Sequence, residues 1–164
     1  MFHMSETVLI NRSPEDVFAF VADLRNFPIW RANLASSTVV SEGFTDVGAR
    51  CDEEIQMGPR RIPATCEITA FSAGRTYSFR AVSPGLIYDG RVVVGPEEDG
   101  SSFTLSGEVG VSGFLRLLQP IIKGRMRDGV RREVAAVKAH MDRQLSLDVG
   151  PVVAPGGWPA GLLG

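Results

Sequence analysis

Few residues in this chain can do chemistry, and their types narrow what that chemistry could be. Its 164 residues include two histidines, His3 and His140, and two cysteines, Cys51 and Cys66. Neither pair has metal-ligand spacing, so no metal site is expected. Two histidines so placed also allow no Ser/His/Asp or Cys/His arrangement, which sets aside triad-type nucleophilic catalysis. Gly110-Val111-Ser112-Gly113 lacks the spacing and the lysine of a phosphate loop, and no cofactor is expected. Proton transfer by carboxyls and tyrosines remains. Cys51, Glu53, Ile55 and Met57 alternate along one stretch, so Glu53 shares a face with apolar neighbours. A carboxylate there must find a partner or rise in pKa, and either state could serve acid/base work on a carbonyl-bearing substrate. A one-residue slip would exchange it with Glu54 and turn it to water. Tyr77 and Tyr88 could offer hydroxyls to a ligand oxygen, or be wall residues whose hydroxyl reaches solvent or backbone. Glu133 lies near the middle of an apolar helical stripe. It could be a buried carboxylate meeting a sheet residue, but buried Glu is rare unless paired, so bending outward or pairing along the helix is the plainer expectation. His140 falls near the end of that helix, where positive charge is favoured.

These residues need elements to hold them. Thr7–Ile10 reads as a first strand. Ser13-Pro14-Glu15-Asp16 supplies a helix start, with Ser as N-cap, Pro in the first turn and Asp16 at the capping-box position. Asn26-Phe27-Pro28-Ile29-Trp30 ends that helix and begins a second short one. Trp30 closes this segment, either at the mouth of a cavity or packed beneath the helix. From Ser36 to Val111 five turn signals cut the chain into six strands of an antiparallel meander. With Gly58-Pro59 at a hairpin tip, Cys51 faces Cys66, Ile55 faces Ile62 and Arg50 faces Glu67, apolar against apolar and plus against minus. The facing cysteines are expected to be buried thiols. A helical turn, Phe114–Leu118, leads into a long helix over Pro120 to Leu145. Its stripe of Met126, Val130, Val134, Val137 and Met141 faces a core, extended backward by Leu115, Leu118 and Ile122. Residues 148–164 form a Gly/Pro-rich tail, 8 of the last 15 residues being Gly or Pro, and are expected to be flexible. Trp158, Leu162 and Leu163 in that tail could form a docking peptide; an unstructured tail is the plainer reading.

Hydrophobic residues make up 44% of the chain and charged residues 22%, which excludes intrinsic disorder and suits one domain with a real core. No apolar run is long enough to span a membrane, and the polar N-terminal stretch predicts a cytoplasmic protein. The net charge is −2. A basic excess gathers on the last helix, in Arg116, Lys123, Arg125, Arg127, Arg131 and Arg132. The overall negative charge and the lack of interleaved aromatics favour a solvated helix face over a nucleic-acid or anionic-membrane surface. The inward sets of the strands, with the first turns of the long helix, describe a largely apolar chamber with sparse polar groups. Its expected ligand-binding residues are Trp30, Cys51, Ile55, Phe79, Phe103, Leu118, Ile122 and Met126; Glu53, Tyr77 and Tyr88 are the candidates for catalysis.

Strand, two short helices, six antiparallel strands and one long closing helix is a specific order. With Ser13-Pro14-Glu15-Asp16-Val17-Phe18, Asp23, Asn26-Phe27-Pro28-Ile29-Trp30 and Val47-Gly48, it resembles the START-like (SRPBCC) superfamily, and within it the polyketide cyclase/dehydrase and lipid-transport family. The resemblance spans residues 5–145. It implies an α+β helix-grip fold over residues 1–147, a curved sheet of about seven strands wrapped around the C-terminal helix with a ligand cavity between them. The function it implies is binding of a hydrophobic, polyketide- or lipid-like molecule. The alternatives are a cyclase or dehydratase using Glu53 and a pocket tyrosine, and a protein-interaction module. The expected partner is a hydrophobic small molecule, with no nucleic acid and no integral membrane segment, bound by a monomer or homodimer.

Overall fold

A computed structural model of the chain describes residues 1–149, with side chains described to residue 143. The tail residues Trp158, Leu162 and Leu163 lie outside the described residues. Strand β1 (Phe2–Ile10) is followed by α1 (Pro14–Val21), a 3-10 turn (Leu24–Asn26) and α2 (Phe27–Trp30). Six strands come next: β2 (Leu34–Val39), β3 (Arg50–Met57), β4 (Arg60–Ser72), β5 (Thr76–Ser83), β6 (Leu86–Glu97) and β7 (Gly100–Val111). A 3-10 segment (Gly113–Leu118) leads into α3 (Gln119–Val149). The seven strands form one antiparallel sheet in the order β1-β7-β6-β5-β4-β3-β2. The first strand thus joins the last, and α3 packs along β1, β7 and α2. This is the helix-grip arrangement.

Local chemistry accounts for the boundaries. Ser13 caps α1, its hydroxyl accepting from the Asp16 backbone N–H at 3.2 Å, and Pro14 fills the first turn. The Asp16 side chain turns instead to Arg12, whose guanidinium donates to it at 3.0 Å. The β3–β4 hairpin closes on Gly58-Pro59, with Gly58 at φ +59°; glycine and then proline match a two-residue turn of the II′ kind. Its register places Cys51 opposite Cys66, Ile55 opposite Ile62 and Arg50 opposite Glu67. Both cysteines are buried free thiols.

Two boundaries differ from the sequence reading. β1 begins at Phe2 rather than Thr7, because Phe2 and Met4 point inward between exposed His3 and Ser5 and extend the pairing with β7. The last helix runs to Val149, so it enters the segment read as tail.

The core lies between the concave face of the sheet and the helices. Val130, Val134, Val137 and Met141 of α3 are buried in it, as the stripe spacing requires. Gly90 and Gly107 sit opposite each other on β6 and β7. A Cβ at Gly90 would collide with the Phe79 ring, and one at Gly107 with Tyr88 and the β6 backbone. The two missing side chains make room for Phe79 and Tyr88, whose rings meet edge to face at 5.3 Å.

Candidate functional site

The polar centre of the molecule is an arginine on the loop that leaves α2. Arg31 has extended backbone (φ −70°, ψ 127°), which turns the chain out of the helix. Two residues on, Asn33 adopts φ +59°, a conformation asparagine tolerates better than most residues. Its carbonyl accepts from Gln56 N at 2.7 Å, which pins the loop to β3. The Arg31 guanidinium enters the interior over the faces of Phe27 and Phe79, at 5.1 and 5.7 Å from the ring centroids.

Two buried carboxylates meet it. Arg31 Nη1 lies 3.4 Å from Glu53 Oε1 on β3, and Arg31 Nε lies 3.5 Å from Glu133 Oε1 on α3. Glu133 Oε1 also accepts from the Ala32 backbone N–H at 3.0 Å. Burial raises the pKa of Glu53, and the nearby Arg31 charge works against that rise. Glu133 is likewise raised by burial, opposed by Arg31 and by the Ala32 hydrogen bond. Burial disfavours the charge of Arg31, but the two carboxylates more than offset this and hold its pKa above the ordinary value. One cation cannot neutralise two buried anions, so the triad retains a proton more readily than exposed carboxyls would.

Beside the triad lies a cavity of about 620 Å³, bounded by α3 on one side and β3 to β6 on the other. Ile55, Ile62, Ala81, Leu86, Ile122 and Met126 give it apolar walls, while Arg31, Glu133 and Tyr88 supply polar groups. The Tyr88 hydroxyl is buried without a hydrogen-bond partner, as is Glu53 Oε2. Burial raises the Tyr88 pKa, and the Glu133 charge adds to the rise, so its hydroxyl stays protonated. The site therefore pairs an apolar volume with a protonated phenol and a carboxyl pair whose hold on a proton is strengthened by burial.

A family model described as polyketide cyclase/dehydrase and lipid transport matches residues 1–142. The chain belongs to this family. Solved structures agree on the fold. TTHA0849 from Thermus thermophilus superposes with a TM-score of 0.76 at 17% identity, covering 88% of this chain and 100% of that one. The Zhui aromatase/cyclase from Streptomyces sp. R1128 gives 0.73 at 12% identity over 90% and 97%. StfQ, a di-domain aromatase/cyclase of the steffimycin biosynthetic pathway, gives 0.73 at 8% identity over 87% of this chain and 51% of that one. Comparison with curated proteins finds no match.

In this member of the polyketide cyclase/dehydrase family, the residues singled out from sequence divide into three groups. Ile55, Tyr88, Ile122 and Met126 line the cavity, and Glu53 stands behind it, paired to Arg31. Trp30, Cys51, Tyr77, Phe79 and Phe103 are buried but do not line it. Trp30 packs edge to face against Phe27 and Phe103, and the Tyr77 hydroxyl donates to the Val21 carbonyl at 2.7 Å. Leu118 stands outside the cavity lining, 37% exposed.

Glu133 corrects the plainer expectation: it is the buried carboxylate of the other reading, but its partners are Arg31 and the Ala32 N–H on the loop after α2 rather than a sheet residue, and they draw it inward. His140 also differs. It stacks on Phe20 at 4.3 Å, and partial burial together with Arg143 lowers its pKa, which disfavours the positive charge expected there.

Arg31 is the participant that sequence reasoning missed. The available signal was indirect: two carboxylates at inward positions, Glu53 and Glu133, require a cation that a loop had to supply. Among the described residues no group of three or more His, Cys, Asp or Glu side chains is placed to hold a metal ion.

Proposed function

We propose that this protein binds a hydrophobic small molecule, polyketide- or lipid-like, with its apolar body in the 620 Å³ cavity and an oxygen at the Arg31–Glu133–Tyr88 end. The observation that carries this reading is the Tyr88 hydroxyl, buried and unpartnered at the wall of an apolar space. A buried donor without a partner costs about 1–3 kcal/mol, and a ligand carbonyl or phenolic oxygen would recover it. The volume falls within the roughly 300–1,000 Å³ of small-molecule sites.

The test is a panel of lipophilic ligands, long-chain lipids and polycyclic phenols, read by thermal shift. A ligand at about 100 times its Kd should add about 2.7 kcal/mol of stability. Ile122→Trp, which fills the cavity, should abolish the shift. No stabilisation by any member of the panel, or stabilisation that survives Ile122→Trp, would count against the cavity.

A second reading, that of a cyclase or dehydratase, draws on Glu53. Its Oε2 is unpartnered, its pKa is raised by burial, and it shares Arg31 with the cavity-lining Glu133. In this reading the cavity folds a poly-carbonyl chain, and the carboxyl pair takes a proton alpha to one carbonyl while Tyr88 hydrogen-bonds its oxygen. Turnover of a candidate substrate that is unchanged in Glu53→Gln would remove Glu53 from the mechanism.

A further inference from the structure

The segment that enters α3 is apolar on two sides. Its inner side, Leu115 and Ile122, packs into the fold, with Leu115 against Gly85 in the β5–β6 turn. Its outer side carries Phe114 at 72% exposure, Leu117 at 78%, Ile121 at 58% and Leu118 at 37%. Four large apolar side chains in about two helical turns form the kind of contiguous exposed patch that marks an interaction surface.

Charge identifies the partner. Between Glu108 and Asp128 the sequence contains no acidic residue and four cations: Arg116, Lys123, Arg125 and Arg127. Among the described residues none of these four forms an ion pair. Lys123 and Arg127 turn to the other side of the helix, Arg127 beside β1. Arg116 lies within the patch's own segment, and Arg125 follows Ile121 by one helical turn. Two copies meeting through this face would bring four such cations together beside the patch, which disfavours a second copy as its cover. An acidic protein would satisfy the cations, but it would not by itself call for Phe114, Leu117 and Ile121 to stand out in water. Apolar side chains that insert, flanked by Arg116 and Arg125 that meet headgroups, fit one surface better than these: an anionic lipid bilayer.

We infer that residues 114–125 dock this protein on anionic membranes, with Phe114, Leu117 and Ile121 entering the interface and Arg116 and Arg125 meeting lipid headgroups. The docking face and the cavity wall formed by Ile122 and Met126 belong to the same helical turns. Docking thus brings that wall to the membrane, although association itself does not depend on what the cavity holds.

The experiment is co-sedimentation of the ligand-free protein with vesicles. One set is pure phosphatidylcholine; in the other, about a third of the lipid is phosphatidylglycerol, at about 0.1 M salt. The anionic vesicles should retain the protein at least tenfold better than the neutral ones. Arg116→Gln with Arg125→Gln should weaken retention by about fivefold per cation. Phe114→Ser with Leu117→Ser should weaken it more than tenfold, with helical signal and melting temperature unchanged because both side chains are exposed. If that double variant fails to fold, Leu117→Ser alone serves, at the most exposed position of the four.

Absence of binding to the anionic vesicles, or equal binding by the Phe114→Ser/Leu117→Ser variant, overturns the inference. So does equal retention on the two lipid compositions. A parent protein that ignores vesicles but dimerises in sedimentation, and becomes monomeric in Phe114→Ser/Leu117→Ser, assigns the face to a second copy instead. Because no cavity ligand is used, failure here leaves the binding proposal standing, and failure of the ligand panel leaves this one standing.

Discussion

Tyr77 and Tyr88 occupy the same concave face, on neighbouring strands, and burial raises the pKa of both. Their surroundings differ. At the Tyr77 end, α1 and α2 lie close to the sheet, and Phe18, Tyr77 and Phe79 pack ring to ring, as do Phe27, Trp30 and Phe103. The Tyr77 hydroxyl donates to Val21, the last residue of α1, and so satisfies one of the carbonyls that a helix leaves open at its C-terminus. At the Tyr88 end no residue of α1 or α2 lines the space between sheet and helix among the described residues. The first turns of α3 and the Arg31–Asn33 loop bound it, and a cavity remains with the hydroxyl unpartnered. A concave sheet supplies inward positions along its whole length. The helices laid against it decide which of them become core and which become site.

The closed end is held by shape, and the open end by charges that require each other. Arg31→Met should therefore have the largest effect on stability. It strands Glu53 and Glu133 in the interior without their cation, a loss of about 3–5 kcal/mol in urea unfolding. Adding Glu53→Gln and Glu133→Gln to Arg31→Met should recover much of the loss, since no buried charge then remains. If Arg31→Met alone is as stable as the parent, the triad does not hold the open end together.

The tyrosines sharpen the contrast by one hydroxyl each. Tyr77→Phe leaves the Val21 carbonyl without its donor and should destabilise by about 1–3 kcal/mol, with ligand affinity unchanged. Tyr88→Phe removes an unpartnered hydroxyl and should be neutral or stabilising by about 1 kcal/mol, while weakening ligands that carry an oxygen. Unfolding and ligand titration on the two variants read both effects. Reversal of the pattern would mean that the two ends have been assigned the wrong way round.

Much of this frame can be read in the sequence, and the limits have physical causes. The β3–β4 register follows from Gly58-Pro59 because a two-residue tip leaves one pairing, and apolar alternation places Tyr77, Tyr88 and Phe103 inward. Alternation cannot separate Tyr77 from Tyr88, because the difference lies in how close α1 and α2 come to the sheet. Nor does it reach Arg31, whose direction is set by a loop held through Asn33 at positive φ. Helical periodicity put Leu118 on the buried stripe. The chain is a 3-10 helix there, with three residues per turn, and the stripe loses phase before α3 begins.

The smallest expected effect concerns pH and belongs to the open end alone. Glu53 and Glu133 are both raised above the ordinary 4.5 by burial, with Arg31 opposing. Well below about 4.5 both carboxyls are neutral, folded or unfolded, and they place no charge in the interior. Above it the unfolded chain releases protons that the folded chain keeps. The unfolded state then binds fewer protons, so the slope of stability against pH is negative from these groups. The stability they contribute is present at low pH and is lost as pH rises through their folded values. Glu53→Gln removes one of the two titrations and leaves Arg31 to Glu133, so its stability relative to the parent should rise between about pH 4 and pH 8. Tyr77→Phe should run parallel to the parent over the same range, since its hydroxyl stays protonated throughout. Urea unfolding at several pH values distinguishes them, and parallel curves for Glu53→Gln and the parent would mean that Glu53 keeps its charge at no cost to the fold.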